Sequence, residues 1–464
     1  MVSELDALAG LERQLEGRYI GPDHADYDTT RVIFNATIDR RPAVIALPET
    51  AEEVAACVRA ARAAGLPITV RGGGHSVAGH AIADGALTID LRRMRSATVD
   101  PAARRVRCGG GALWEDVDKA TIPHDLATTG GTFWDTGVGG LTLTGGLGYL
   151  MGTSGLTCDC LMRATVVTAS GDIVEAGPAG DPELLWAIRG GGGNFGVVTE
   201  FEFQLQSVGP IQVGRFVAPL DRGVTALEGL AAYARSMPDE VVIFSTGPTA
   251  EVAPAPGTES PGPFDHIAAF LVCQATPEEA VAMAAPLAAH PDWHGAFETL
   301  TYEALQSDEL LPFGLRHYWK GYFVRDIDHA TAEGIVTGMR TRPASPSFLL
   351  LEAINGRARL EPDGGASFGQ REARWNVSAL AIWEDPADDA VQIDWVRRTA
   401  ASFAAASYSG AGYGNYAPVD ETDDRVRASY GPERYARLQA IKRRYDPDNV
   451  FRSNLNIPPA PAPG

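Results

Sequence analysis

RGGGHSVAGH, residues 71–80, decides how this chain is read, because three glycines and a histidine follow directly on the strand-like run LPITV (66–70). Glycine lets the backbone turn sharply and come close to a ligand. His75 therefore stands over whatever that loop approaches. Lone loop histidines are mostly satisfied structural residues; the three preceding glycines are what single this one out. Similar clusters recur at 109–111 ahead of ALWEDV, at GVGGLTLTGGLGYLMG (137–152) and at RGGGGNFGVV (189–198). Their shared property is exposed backbone N–H, which cradles pyrophosphate without needing a helix. GGGNFG (191–196) also matches the G-x-G-x-x-G dinucleotide fingerprint, and Asp90 lies downstream of another glycine cluster. The fingerprint requires a strand before the glycines and a long helix after them. Residues 191–196 instead follow a helical stretch and lead into a strand, so the expectation is a dinucleotide on a non-Rossmann fold.

Working outward, a helix is expected near 3–16, then the strand RPAVIALPE and an Ala-rich helix from Thr50 to Gly65, with Thr50 and Glu53 spaced as a capping box. ALTIDL, SATVD and RRVRCGGG read as short strands. LMRATVVTASGDIVEAG reads as a hairpin turning at Ser-Gly-Asp, DPELLWAIRGGGG as a short helix, and FGVVTEFEFQLQ as an alternating strand. From about 207 the glycine clusters stop. Ala-rich helices (225–236, 278–289, 391–406) then alternate with the strands GRFVAPL, HIAAFLVCQA, SFLLLEAIN and WNVSALAIW, which marks a second α+β unit. APAPGTESPGP (253–263) reads as a Pro/Gly-rich turn and PPAPAPG (458–464) as a frayed tail.

Composition removes several functions. The 464 residues are 45% hydrophobic and 21% charged, with no apolar run long enough to span a membrane. A formal charge of −20 repels phosphate backbones and anionic lipid, so neither nucleic acid nor a membrane is an expected partner. The N-terminus lacks the pattern of a secretory signal, so a cytoplasmic protein is expected. Five cysteines, an odd number thinly spread, argue against a disulfide framework. Cys158 and Cys160 have C-x-C spacing, which suits neither a redox pair nor a zinc knuckle, and no metal site is expected.

RGGGHSVAGH, GVGGLTLTGGLGYLMGTSGLTCDCL, LLWAIRGGGGNFGVVTEFEF and the C-terminal YGNYAPVD with YGPERYARLQAIKRRYDPDNVFRSNLNIPP, spread over nearly the whole chain, resemble the berberine-bridge-enzyme-like FAD-linked oxidases, flavoproteins of the vanillyl-alcohol-oxidase type. The resemblance implies a two-domain α+β PCMH-type FAD-binding fold. Residues 1–206 would bind FAD, 207–412 would form an antiparallel substrate sheet covered by helices, and 413–464 would return to the FAD domain. It implies FAD held bicovalently, through His75 to the 8α-methyl and Cys158 to C6, with Cys160 a structural thiol on the same strand face. Arg71, Gly72, Gly73, Gly74, Ser76, Val77, Gly79 and His80 would line the pyrophosphate. Thr136, Gly137, Gly139, Gly140, Thr142, Gly145 and Gly146 would pass beside the ribityl chain and ring, and Asn194, Phe195, Gly196 and Val198 would close the adenine side, with Asn415 and Asn454 further contacts.

The family's reaction is hydride transfer to flavin N5 with loss of a proton, which requires a base. In YGNY, Tyr416 is the expected base and Tyr413 the second choice. A free phenol titrates near 10, so Tyr416 would need a cation or a hydrogen-bond donor to lower it, for which Lys320 and Arg316 are candidates. On RWNVSALAIW, alternation places Arg374, Asn376, Ser378 and Leu380 on the face toward the flavin. Relatives often carry a carboxylate there, so Asn376 and Ser378 argue against a carboxylate-driven mechanism. In the family that this chain resembles, a small residue at the position of Thr136 goes with access of O2 to the flavin, and Leu141 stands where several plant members have histidine. The expected function is oxidation of an alcohol, amine or phenol of a secondary metabolite or sugar, with O2 giving H2O2. An FAD dehydrogenase or flavin-oxygenating enzyme, and a non-catalytic flavin-binding protein, are the alternatives.

Overall fold

The computed structural model describes residues 4–247, 265–307, 313–344 and 346–462, so the turn at 253–263 lies outside the described residues. The chain begins with helix Glu4–Leu15. Helix Ala51–Ala63 then carries the chain from strand Val44–Ala46 to strand Ile68–Arg71, with Leu87–Asp90 pairing parallel to both. Val54, Val58 and Ala61 form its buried stripe. Thr50 caps it by accepting from the Glu53 N–H, but the return arm of the box differs from expectation. The Glu53 carboxylate accepts from the Glu49 N–H at 2.7 Å and pairs with Arg18, one residue short of the cap.

A second sheet is wholly antiparallel, in the order Ala97–Asp100, Arg105–Gly109, Val197–Gln204, Leu161–Val167, Ile173–Ala176. The last two are the expected hairpin, and Gly171 supplies the left-handed residue its turn requires, at φ +82°. Helix Pro182–Ile188 starts at Asp181, whose carboxylate accepts from the Glu183 and Leu184 N–H groups.

The second unit is one seven-stranded antiparallel sheet, in the order His294–Leu300, Ile211–Pro219, His266–Cys273, Val241–Gly247, Phe348–Ala353, Trp375–Trp383, Arg316–Val324. Side chains alternate strictly between its faces. One face, with Leu271, Leu349, Leu351, Trp375 and Val377, packs on helices Gly223–Ala234, Pro277–Ala288, His329–Arg340 and Asp389–Ser402 to form the largest core. Fully burying each such side chain contributes roughly 1.5–3 kcal/mol. The other face looks toward the glycine loops of the first unit.

Helix Asp423–Tyr445, broken at Gly431 (φ +72°), returns the C-terminus to the first unit. There Lys442 Nζ is fully buried and donates to Asn194 O (2.7 Å), Asp446 Oδ2 (2.6 Å) and Phe451 O (2.9 Å). The tail is not frayed at its start: Ala460 N–H donates to Gln439 O, and Gln439 donates to Pro458 O. Among the described residues, no helix is long and apolar enough to cross a membrane, and no group of three His, Cys, Asp or Glu side chains could hold a metal ion.

Candidate active site

A cavity of about 970 Å³ lies between the glycine loops and the free face of the large sheet. The loops form its floor because they meet backbone to backbone. A Cβ on Gly73 would sit 2.5 Å from Gly137 N, and one on Gly137 would sit 2.3 Å from Gly73 N. Gly72, Gly73, Gly74, His75, Ser76 and His80 line it from the first loop, and Thr136, Gly137, Gly139, Gly140 and Leu141 from the second. Gly196, Val198, Asn415 and Asn454 complete that side. Buried polar atoms here without a protein partner, Asn454 Oδ1 and His80 Nε2, are groups a polar ligand would satisfy. The long, backbone-lined trough with these atoms fits the FAD that the sequence implies.

Several residues expected at the FAD lie behind the cavity wall and make contacts within the protein. Arg71 reaches Thr30 O and Asp90, and burial pulls its guanidinium down to about 10. Val77 packs with Phe34, Trp319 and Leu380, while a Cβ on Gly79 would meet Ile38. Thr142 donates to Val138 O, and Gly146 donates its N–H to Tyr413. Gly145 backs onto Phe368, Phe195 is core, and Asn194 is saturated by Gly191 O, Leu455 O and Ile457 N. None of these lines the cavity. They hold the loops that do.

His75 is in place. Its ring stacks on Phe34 with centroids 4.8 Å apart and meets Phe313 edge-on at 5.0 Å. Its Nε2 lies 3.4 Å from Asp135 Oδ2 without hydrogen-bond alignment. Asp135, two residues before Gly137, is a neighbour the sequence reading did not single out.

Cys158 is not among the residues that line the cavity. It lies in the single helical turn Thr157–Cys160, fully buried behind Leu147 and Tyr413 with Met151 and Leu156, and burial pushes its thiol well above the usual range. All five cysteines are buried, and none lines the cavity. The expected strand placement of Cys160 also fails, since one helical turn points the two thiols into different clusters. Cys160 Sγ lies 3.5 Å from Ser154 O and packs in the core of the first unit.

The titratable groups beside the cavity come from the roof and the YGNY turn. Tyr416 lines the cavity, and its hydroxyl donates to Glu352 Oε1 at 3.1 Å. Glu352, on strand Phe348–Ala353, is 1% exposed and also accepts from Asn376 Nδ2 at 2.6 Å across the sheet. Burial raises its carboxyl to about 7, against the pull of the Asn376 and Tyr416 hydrogen bonds. Burial and the adjacent Glu352 hold the Tyr416 phenol well above its ordinary range.

This corrects two expectations. Lys320 and Arg316 face the helix side of the sheet; Lys320 pairs with Ala379 in register, and Arg316 binds Asp389. No cation lowers Tyr416; a carboxylate stands beside it instead. That carboxylate was sought on the strand of Asn376 and found on its neighbour. A lone glutamate in the apolar run SFLLLEA was the signal that could have revealed it.

Tyr413 is a positioning group. Its oxygen accepts from the Gly146 N–H (2.9 Å), the Leu147 N–H (3.1 Å) and Asn415 Nδ2 (2.9 Å). Of the four expected pocket residues, Leu380 lines the cavity. Asn376 and Ser378 share its face but are buried behind it, with Ser378 pressed on the Gly321 backbone. Arg374 precedes the strand and lies off the wall.

The sequence and the fold both have known relatives. Residues 42–177 match the family described as FAD binding domain, and 412–458 the family described as Berberine and berberine like. The chain is 32% identical to (R)-6-hydroxynicotine oxidase of Paenarthrobacter nicotinovorans, over 96% of this chain and 97% of that one. The crystal structure of 6-hydroxy-D-nicotine oxidase from Arthrobacter nicotinovorans superposes with a TM-score of 0.84 at 30% identity, covering 96% of this chain and 98% of that one. Glucooligosaccharide oxidase from Acremonium strictum, which carries a 6-S-cysteinyl, 8α-N1-histidyl FAD, shares the fold at TM-score 0.87 and 23% identity, with 99% of each chain covered. With its two-domain PCMH-type architecture and its active-site trough accounted for, the chain belongs to the berberine-bridge-enzyme-like FAD-linked oxidases.

Proposed function

We propose that this oxidase holds its FAD covalently through His75 alone and oxidises a CH–OH or CH–NH group of a small molecule, with dioxygen as the final acceptor. The observation that carries the reaction is the hydrogen bond from Tyr416, on the cavity wall, to the buried carboxylate of Glu352. FAD, when bound, supplies the hydride acceptor. The protein must take the proton. The substrate O–H or N–H donates to Tyr416 Oη while the phenol proton passes to Glu352 Oε1. Asn376 holds the carboxylate in line, and Tyr413, fixed by three donors, holds the Gly145–Leu147 loop beneath. The apolar surround of Leu350, Phe348 and Trp319 excludes water that would short-circuit the transfer.

Attachment through His75 alone is supported by its place on the floor and by the absence of any cysteine from the cavity wall. Tyr416→Phe tests the proton path. Anaerobic flavin reduction should slow at least tenfold, within the range expected for loss of a general acid–base group. An unchanged rate would remove Tyr416 from the chemistry.

A further inference from the structure

The roof has a chemistry of its own that narrows the substrate. Registered neighbours across the sheet place Arg215, Phe270, Phe244, Glu352, Asn376 and Phe323 in one row on the cavity face. The carboxylate that takes the proton thus has two phenylalanines on the neighbouring strands to one side. The rows beside it continue the pattern: Val213 and Val272, then Leu350, Phe348, Leu380 and Ile382, all reach the cavity. Arg215 and Thr246 are the polar side chains this face adds to the cavity besides the indole N–H of Trp319. Arg215 is compensated by Glu298 at 2.5 Å and lies against the Phe270 ring, so it brings little net charge to the wall. Trp319 packs edge-on against Tyr416 at 5.4 Å, and its Nε1 is buried without a partner.

From this we infer that the enzyme takes an uncharged, predominantly apolar substrate with an aromatic or extended hydrocarbon body, and presents that substrate's single polar group to Tyr416. A sugar chain is a poor fit. It carries a hydroxyl on nearly every ring carbon, and each would give up water against a wall with too few donors and acceptors to replace it. An aromatic or aliphatic body has no such cost, and it stacks on Phe244 and Phe270 with the offset or edge geometry that rings favour. Trp319 Nε1 stands ready for one acceptor near the reacting group.

This inference rests on the proposed oxidase reading for the position of the reacting group, but the wall composition stands apart from it. The test uses the flavin-loaded full chain and two probe sets. One is the series benzyl, 2-phenylethyl and 3-phenylpropyl alcohol. The other is cellobiose and maltotriose. Binding is read by perturbation of the flavin absorbance, and reaction by anaerobic bleaching. The aryl series should bind, with Kd falling by roughly threefold or more per added methylene, and the sugars should leave the spectrum unchanged. Phe348→Gln should weaken the longest aryl probe roughly tenfold; the wild-type series remains decisive if that variant does not fold. A saccharide that perturbs the flavin, an aryl series whose Kd ignores chain length, or no aryl probe binding at all overturns the inference. Chain-length-dependent binding without bleaching supports the apolar site and counts against the oxidase reading instead.

Discussion

Replacing Glu352 with glutamine removes the proton's destination while keeping the side chain's size. In the native protein the carboxyl is fully buried and titrates at about 7. Below that pH it is neutral and cannot accept the Tyr416 proton, so flavin reduction by substrate should rise with pH through about 7 and then level off. Glu352→Gln should cost about 10²–10⁴ in the reduction rate and flatten that profile. The same substitution has a second readout. Because the folded-state value lies above the ordinary glutamate value of about 4.3, the native state binds the extra proton between about 4.3 and about 7. Stability from this group is therefore complete below about 4.3 and is lost as pH rises through 7, by an amount on the order of 3 kcal/mol. The glutamine variant does not ionise, so urea unfolding at pH 8 compared with pH 5 should show a smaller loss than wild type. The assays are stopped-flow anaerobic bleaching across pH and paired denaturation curves. A variant that bleaches within about threefold of wild type, with the same pH dependence, would refute the assignment of Glu352 as proton acceptor.

His75→Ala should release all yellow colour to the supernatant on acid precipitation, whereas Cys158→Ala should leave it in the pellet; mass spectrometry of the flavin-bearing peptide should find only the 71–80 region in wild type. Asp135→Asn, which removes the charge 3.4 Å from His75 Nε2, should lower the covalently bound fraction of flavin after expression while FAD still binds, read as fluorescence of the denatured band. Lys442→Met strands Asp446 in a fully buried site and should cost about 3–5 kcal/mol, seen as a fall in Tm at neutral pH.

The floor of the site was legible in the sequence because it is made of backbone. Close approach of Gly73 to Gly137 demands glycine, and glycine clusters announce themselves. Direction of side chains was not legible in the same way. Cys158 sits in the matching segment, yet a single helical turn aims its thiol into the core, where linear spacing carries no information. Lys320 and Arg316 lie on a strand whose odd-numbered residues face the cavity, a parity that became fixed only with the pairing of Arg316–Val324 against Trp375–Trp383. Glu352 and Tyr416 are 64 positions apart and meet across the seam between the two units. The individual residues were readable; their juxtaposition depends on how the sheet docks over the loops.

The strict alternation of the roof gives the two halves of each strand separate fates. Leu349, Leu351, Val377 and Ala379 hold the helices, while Leu350, Phe348, Leu380 and Ile382 face the cavity and touch little of that packing. Exchange at the second set can retune what the enzyme accepts with small penalty to folding, whereas the glycine floor tolerates no comparable drift. A lineage built on this scaffold is therefore free to diversify its chemistry of recognition from above while its cofactor cradle stays frozen below.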